Sequence, residues 1–276
     1  MQTGTTRTSD GLTLHTLDAP VENPKGVVYL VHGINEHIGR YAHVIEFLNR
    51  RGYAVYGHDH RGHGQSEGER VMFDSFNQPV ADLKVRIGAV KSRHPDVPVF
   101  VYGHSMGSLI STLYVAENGA DVAGWITTGS PLWVDKAFPG VVQSILKAAA
   151  KLFPRAKLIP LDASAVSRDP QVVAAYKADP LNVIQPTKLG MVVQFAEAVP
   201  RARSLVGRIT VPVLIIHGEA DRVTPLEGSQ YLYEHVGSTD KTLTTIPLAY
   251  HEVHNEPEQA DVLSEIAAWL DARTGS

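Results

Sequence analysis

The stretch Val97-Pro98-Val99-Phe100-Val101-Tyr102-Gly103-His104-Ser105-Met106-Gly107 decides the fold. Its first half is rich in β-branched and aromatic residues and reads as a strand. It ends in Gly-x-Ser-x-Gly, and a helix-compatible segment, 108–118, follows at once. Strand, sharp turn and helix put a serine at the apex. The turn brings backbone against backbone, so a Cβ at Gly103 or Gly107 would clash or forbid the required dihedrals. The Ser105 hydroxyl is thereby presented at the carboxyl end of a strand, where the new helix aims its unpaired amides. Glycine and serine are common in turns, so a nucleophilic Ser105 requires the rest of the chain to supply a base, an acid and an oxyanion site.

Upstream, Val27 to Val31 is a continuous apolar run of the kind buried on both faces of a sheet. A helix with Tyr41, Val44, Ile45 and Leu48 on one face follows, then Gly52 and a second buried strand, Tyr53 to Tyr56. Strand, helix, strand predicts a parallel βαβ unit. The alternating Leu12 to Leu17 predicts the edge strand that opens the fold, and a helix over 79–94 leads into the serine strand. Downstream, strands are predicted at 122–128, 211–218 and 242–246, with helices over 225–235 and 257–272. Between 132 and 190 the rhythm breaks. No segment there reads as a buried strand, and proline recurs at 139, 154, 160, 170, 180 and 186. The prediction is one α/β core, residues 1–131 and 191–276, with a mostly parallel central sheet flanked by helices and with 132–190 inserted as a helical cap over the serine. Within that cap, Val141, Val142, Ile145, Leu146, Ala148, Ala149, Leu152 and Phe153 leave only a narrow polar stripe of Gln143, Lys147 and Lys151. This apolar arc is wider than one core contact needs. Either the helix is packed on both sides, or the spare arc meets an acyl chain, a micelle or a membrane surface.

Composition narrows the functions available. A net charge of −4 with no basic block gives no footing for nucleic acid. The absence of cysteine excludes disulfides, thiolate metal sites and a cysteine nucleophile. The first ten residues are polar, so neither a signal peptide nor an anchor is expected, and no apolar run reaches the ~18 residues that span a bilayer. The expectation is a soluble cytoplasmic protein, peripheral at a membrane at most. His58-Asp59-His60-Arg61-Gly62-His63 crowds four potential ligands, but they lie on a glycine-rich loop with no second cluster to complete a shell. A polar loop held by its own side-chain to backbone bonds is expected there, with no metal.

A serine hydroxyl needs a base to take its proton, and the base needs an acceptor that holds one tautomer. In a parallel sheet both should stand on loops after later strands. Asp221 is the acid candidate; Glu219, its competitor, is still leaving the strand at 211–218. His251 is the base candidate, on the loop between the last strand and last helix, with His254 three residues beyond. Two amides must face the developing oxyanion: Met106, after the serine, and Ile34, on the loop after the strand 27–31.

With the roles filled, the residues carry a resemblance. The runs His32-Gly33-Ile34-Asn35-Glu36-His37-Ile38-Gly39-Arg40-Tyr41, Asp59 to Gly68, Gly103-His104-Ser105-Met106-Gly107 and Ala249-Tyr250-His251-Glu252-Val253-His254 resemble those of monoacylglycerol lipases. Ser167-Arg168-Asp169-Pro170 and Asp179-Pro180-Leu181 in the cap are similar too. The resemblance implies an α/β-hydrolase fold with a mobile helical cap, a lipid ester substrate cleaved to fatty acid and glycerol, and no metal or organic cofactor. It implies an oxyanion amide at Ile34, and places Glu36, Arg40 and His254 where glycerol leaves. A carboxylate, an arginine and a histidine could equally brace the loop as an ion pair. Ser108 departs from the family, in which a third glycine usually follows Ser-Met-Gly. A general carboxylesterase or lysophospholipase would share the chemistry and differ in cap and pocket. A proline-releasing serine peptidase shares the fold but needs an acidic cluster for a free α-amine, of which the sequence offers no clear one.

Overall fold

The computed structural model describes residues 1–137, 140–159 and 162–275; Pro139 and Pro160 of the expected cap lie outside them. The chain runs β1 (Gln2–Arg7), β2 (Thr13–Ala19), β3 (Gly26–Val31), α1 (Ala42–Asn49), β4 (Tyr53–His58), α2 (Asn77–Arg93), β5 (Val99–His104), α3 (Met106–Asn118) and β6 (Gly124–Thr128). An excursion then carries α4 (Gly140–Leu152), β7 (Lys157–Ile159), α5 (Pro170–Ala178), β8 (Thr187–Lys188) and α6 (Leu189–Leu205). The chain closes with β9 (Val213–Gly218), α7 (Glu227–His235), β10 (Lys241–Ile246) and α8 (Gln259–Asp271).

Eight strands form one sheet in the order β1-β2-β4-β3-β5-β6-β9-β10. The pairs β1–β2 and β2–β4 are antiparallel and the remaining five are parallel. The central strands are buried on both faces, which is why β3 reads as an unbroken apolar run. Val27, Tyr29 and Val31 face one core with α2, α3 and α6; Val28 and Leu30 face the other with α1 and α8. β7 and β8 pair only with each other, so the excursion adds nothing to the main sheet. The structure differs from expectation at the N-terminus. β2 does not open the sheet, because β1 pairs outside it in register from Gln2↔Asp18 to Arg7↔Thr13. Gln-Thr-Gly-Thr-Thr-Arg has no apolar alternation to reveal a strand; an exposed edge needs only backbone pairing and β-branched residues. Among the described residues no helix is long and apolar enough to cross a membrane.

The loop after β4 is built from its own polar groups. Asp59 accepts the Ile38 and Gln65 amides, both at 2.8 Å, and Ser66 Oγ donates to the Asp59 carbonyl at 2.6 Å. Among the described residues no group of three or more histidines and carboxylates is arranged to hold a metal. His58, His60 and His63 instead gather with His32 in the protein interior, the His32 and His60 ring centroids 4.1 Å apart. Burial pushes all four well below the ordinary histidine range, His63 to about 4, so they are neutral in the folded chain. Unfolded histidines take up protons near pH ~6.5, so stability from keeping these four neutral is complete above that pH and is lost as pH falls. Thermal melts should give a steady Tm from about pH 8 to 7 and a progressive drop below about 6.5. A Tm unchanged down to about pH 5 would contradict the buried neutral quartet.

Candidate active site

Ser105 sits between β5 and α3 with φ 53° and ψ −118°, a left-handed conformation that L side chains rarely adopt. Packing imposes it. A Cβ at Gly107 would overlap the carbonyl oxygens of Val31 and His32, and one at Gly103 would overlap Ser111 Oγ. The elbow glycines are therefore needed for space, while the backbone strain falls on the serine itself. The Ser105 amide donates to the Thr128 carbonyl at 2.9 Å, and the Leu109 amide donates to the Ser105 carbonyl at 3.2 Å. Ser108 hydrogen-bonds through Oγ to Thr127 Oγ1 on β6, so the departure from glycine ties α3 to the sheet.

Asp221 stands on the loop after β9, its side chain enclosed. Its Oδ1 accepts the Val223 and Thr224 amides at 2.7 and 2.9 Å; Oδ2 accepts the Thr224 hydroxyl at 2.8 Å and His251 Nδ1–H at 2.7 Å. Burial works against the Asp221 carboxylate, but His251 and His217 outweigh it and hold the group far below the usual carboxylate range. His251 is buried, which disfavours its cation, yet the Asp221 charge prevails and raises its pKa above the ordinary value. With Nδ1–H committed to Asp221, Nε2 is the nitrogen free to accept a proton. Glu219 is exposed and accepts from Thr245 Oγ1 at 2.8 Å, away from His251.

The Ile34 and Met106 amides donate to no acceptor among the hydrogen bonds of the described residues. Both flank Ser105: Met106 follows it, and a Cβ at Gly33, next to Ile34, would lie 3.3 Å from the Ser105 Cβ.

Two cavities meet at Ile34, Ser105 and Val223. The larger is walled mostly by apolar groups, among them Leu146, Ile159, Val192 and Phe195. The smaller is lined by His251, Glu36, Glu252, His104, Val166 and Tyr176. Glu252 and Tyr176 were not singled out from the sequence. Arg40 connects the carboxylates, donating to Glu36 at 2.6 Å and to both oxygens of Glu252 at 2.6 Å. Burial raises Glu36, which Arg40 only partly offsets, whereas for Glu252 the Arg40 hold outweighs burial and keeps it ionised. Arg40 itself lines neither cavity, and nor does His254. His254 is fully buried, stacked on Tyr41 at 4.8 Å and edge-on to His104 at 4.9 Å, so its ring packs the loop from behind.

The excursion after β6 is attached unevenly. The Val183 amide donates to the Asn35 carbonyl at 2.9 Å, His37 Nε2 bonds Asp179 at 2.8 Å, and the Glu252 amide donates to the Val166 carbonyl at 2.8 Å. α4 instead rests on α6, and its flank leaves Val141, Ile145, Leu152 and Phe153 exposed by 74, 62, 76 and 64%.

A mostly parallel sheet with its serine elbow, and an acid and a histidine on later loops, defines an α/β-hydrolase of the serine-hydrolase class. The chain belongs to the family described as serine aminopeptidase, S33, whose model matches residues 22–258. It is 38% identical over 254 residues to a monoacylglycerol lipase of Mycolicibacterium smegmatis, covering 91% of this chain and 90% of that one. To a monoglyceride lipase of Rattus norvegicus it is 39% identical over 260 residues, 92% of this chain and 85% of the other. The crystal structure of the Paleococcus ferrophilus monoacylglycerol lipase superposes with a TM-score of 0.81 at 32% identity, covering 94% of this chain and 99% of that one.

The His251–Asp221 pair sets an expected pH profile. A base works only when neutral, and Asp221 raises the pH at which His251 loses its proton. The acid limb of kcat/KM should therefore have its midpoint above ~6.5. Asp221→Asn should lower that midpoint as well as the rate; an unshifted midpoint would separate Asp221 from the base.

Proposed function

We propose that this chain hydrolyses monoacylglycerols to fatty acid and glycerol through an acyl-enzyme on Ser105. The observation that carries the reading is the position of Ser105 at the junction of a larger, mostly apolar cavity and a small one into which Glu36, Glu252 and His251 project. A molecule with a single acyl chain and a compact alcohol fits that division, and the monoacylglycerol lipase relatives support it. Ser105 Oγ attacks the ester carbonyl as its proton passes to His251 Nε2, and Asp221 stabilises the imidazolium. The Ile34 and Met106 amides take the negative charge on the carbonyl oxygen. As the tetrahedral adduct collapses, the ester C–O bond breaks and His251 returns the proton to the departing glycerol oxygen. Water, deprotonated by the same histidine, then attacks the acyl carbonyl; the Ser105 Oγ–acyl bond breaks as His251 returns the proton to Ser105, and the fatty acid leaves.

Glu36 and Glu252 line the glycerol side, and hydroxyl groups can donate to carboxylate oxygens. An anionic phosphate there would lie against the Glu36 and Glu252 side chains, which argues against a lysophospholipid. The same acidic pair is what a peptidase would want for a free α-amine, and the family description names one. Arg40 already engages both carboxylates, which favours the ester. The exposed apolar flank of α4 suits transient contact with a lipid surface from which substrate is drawn.

A panel of monoacylglycerol, triacylglycerol, lysophospholipid, simple ester and aminoacyl amide tests the assignment. Monoacylglycerol should give the highest kcat/KM, and amide or triacylglycerol turnover above it would overturn the reading. Ser105→Ala should reduce kcat by about 10⁴-fold or more without unfolding the chain. For the cap, anionic or zwitterionic micelles should raise the wild-type rate, and Ile145→Glu with Phe153→Glu should remove most of that increase. A wild-type rate indifferent to micelles would leave the exposed flank without a lipid role.

A further inference from the structure

The peptides on either side of Gly33 carry four polar groups, and three are held. The His32 carbonyl accepts His60 Nε2–H at 3.0 Å. The Gly33 amide donates to Glu36 Oε1 at 2.6 Å. The Gly33 carbonyl accepts His32 Nδ1–H at 2.8 Å. The fourth group, the Ile34 amide, has no acceptor among the described residues. It belongs to the same planar peptide as the Gly33 carbonyl and points the opposite way, so whatever fixes that oxygen also aims this N–H. The His32 tautomer is fixed in turn. The His60 amide donates to His32 Nε2 at 2.9 Å, which leaves Nδ1 as the protonated nitrogen of the neutral ring.

We propose that His32 is a positioning residue: its imidazole, as the Nδ1–H tautomer clamped by His60, orients the Gly33–Ile34 peptide so that the Ile34 amide meets the oxyanion. The inference rests on the ester-hydrolase reading and on Ile34 as an oxyanion donor. His32 lines neither cavity at Ser105; it acts through a peptide plane. Oxyanion donors are effective because they are already oriented before charge develops, and a loop peptide released from its clamp has to be reoriented at each turnover. The arrangement assigns a task to the histidine cluster that the acid–base chemistry leaves unused. His60 locks the tautomer from the loop after β4, and His63 packs at 5.6 Å from the His32 ring.

His32→Phe keeps the ring shape and removes both nitrogens, whereas His32→Asn retains an N–H donor close to the Nδ1 position. Replacing a whole oxyanion donor costs about 10²–10³ in kcat, so misorienting one should cost about 10–100-fold in H32F, with KM changed less than about threefold. H32N should recover about tenfold of that loss. A trifluoromethyl ketone substrate mimic forms a charged hemiketal with the serine and should lose affinity in H32F by the same factor as kcat/KM. A glyceryl monoether, which has no carbonyl, should bind as it does to the wild type. On the wild-type chain, ¹⁵N NMR should find the His32 proton on Nδ1 and a bare Nε2. An H32F rate within about twofold of wild type, an equal weakening of the ether, or an Nε2–H tautomer would each overturn the proposal. The NMR measurement needs no variant and decides the matter even where H32F does not fold. Wild-type protein without ester turnover would overturn the hydrolase reading and this proposal together; wild-type turnover with an unaltered H32F overturns the proposal alone.

Discussion

The site depends on the absence of clearance between the first turn of α3 and the end of β3. Gly107 lies so close to the Val31 and His32 carbonyls that no Cβ can enter, and the helix is consequently seated directly on the strand. That seating bends the chain through an unfavourable φ at Ser105, carries the serine beside Gly33, and leaves the Met106 amide at an open helix end. One steric contact thus brings Ser105 and both candidate oxyanion amides into one place. The hydrogen bond from Ser108 to Thr127 anchors the same helix laterally on β6.

Charge completes what packing begins. Asp221 receives two amides, a hydroxyl and His251, so its carboxylate stays ionised despite burial and holds His251 in one tautomer. Arg40 joins Glu36 on the loop after β3 to Glu252, the neighbour of His251, across 212 residues of sequence separation. The loop that carries Ile34 and the loop that carries His251 are therefore braced against each other by one guanidinium. Breaking such a pair from one side would leave a buried carboxylate without its partner, a costly state.

How much of this was legible in the sequence differs from residue to residue. The strand-elbow-helix around Ser105 could be read because it is local: apolar run, two glycines and helix follow within a few residues. Asp221 could be told from Glu219 because position after a strand decides which side chain turns inward, and Glu219 does turn away to Thr245. The buried strands could be read because parallel strands are apolar on both faces. β1 could not, since an edge strand of Gln-Thr-Gly-Thr-Thr-Arg carries no burial pattern. Arg40 and Glu252 meet only in three dimensions, and no spacing reveals a salt bridge between separate loops. His254 was placed with the glycerol pocket by resemblance, yet its ring is turned into the packing between Tyr41 and His104, where a neutral imidazole fills space.

The uneven attachment of the segment between β6 and β9 carries a consequence for how such an enzyme can change. Residues 166–183 are bonded to Asn35, His37 and Glu252, so an alteration there disturbs the loops that support Ser105 and His251. α4 touches the larger cavity through Gln143 and Leu146 and packs against α6. Sequence drift in α4 can therefore reshape the acyl wall and the outer surface while the reaction centre is left as it was. In this architecture, a lineage can acquire a new diet without relearning its chemistry.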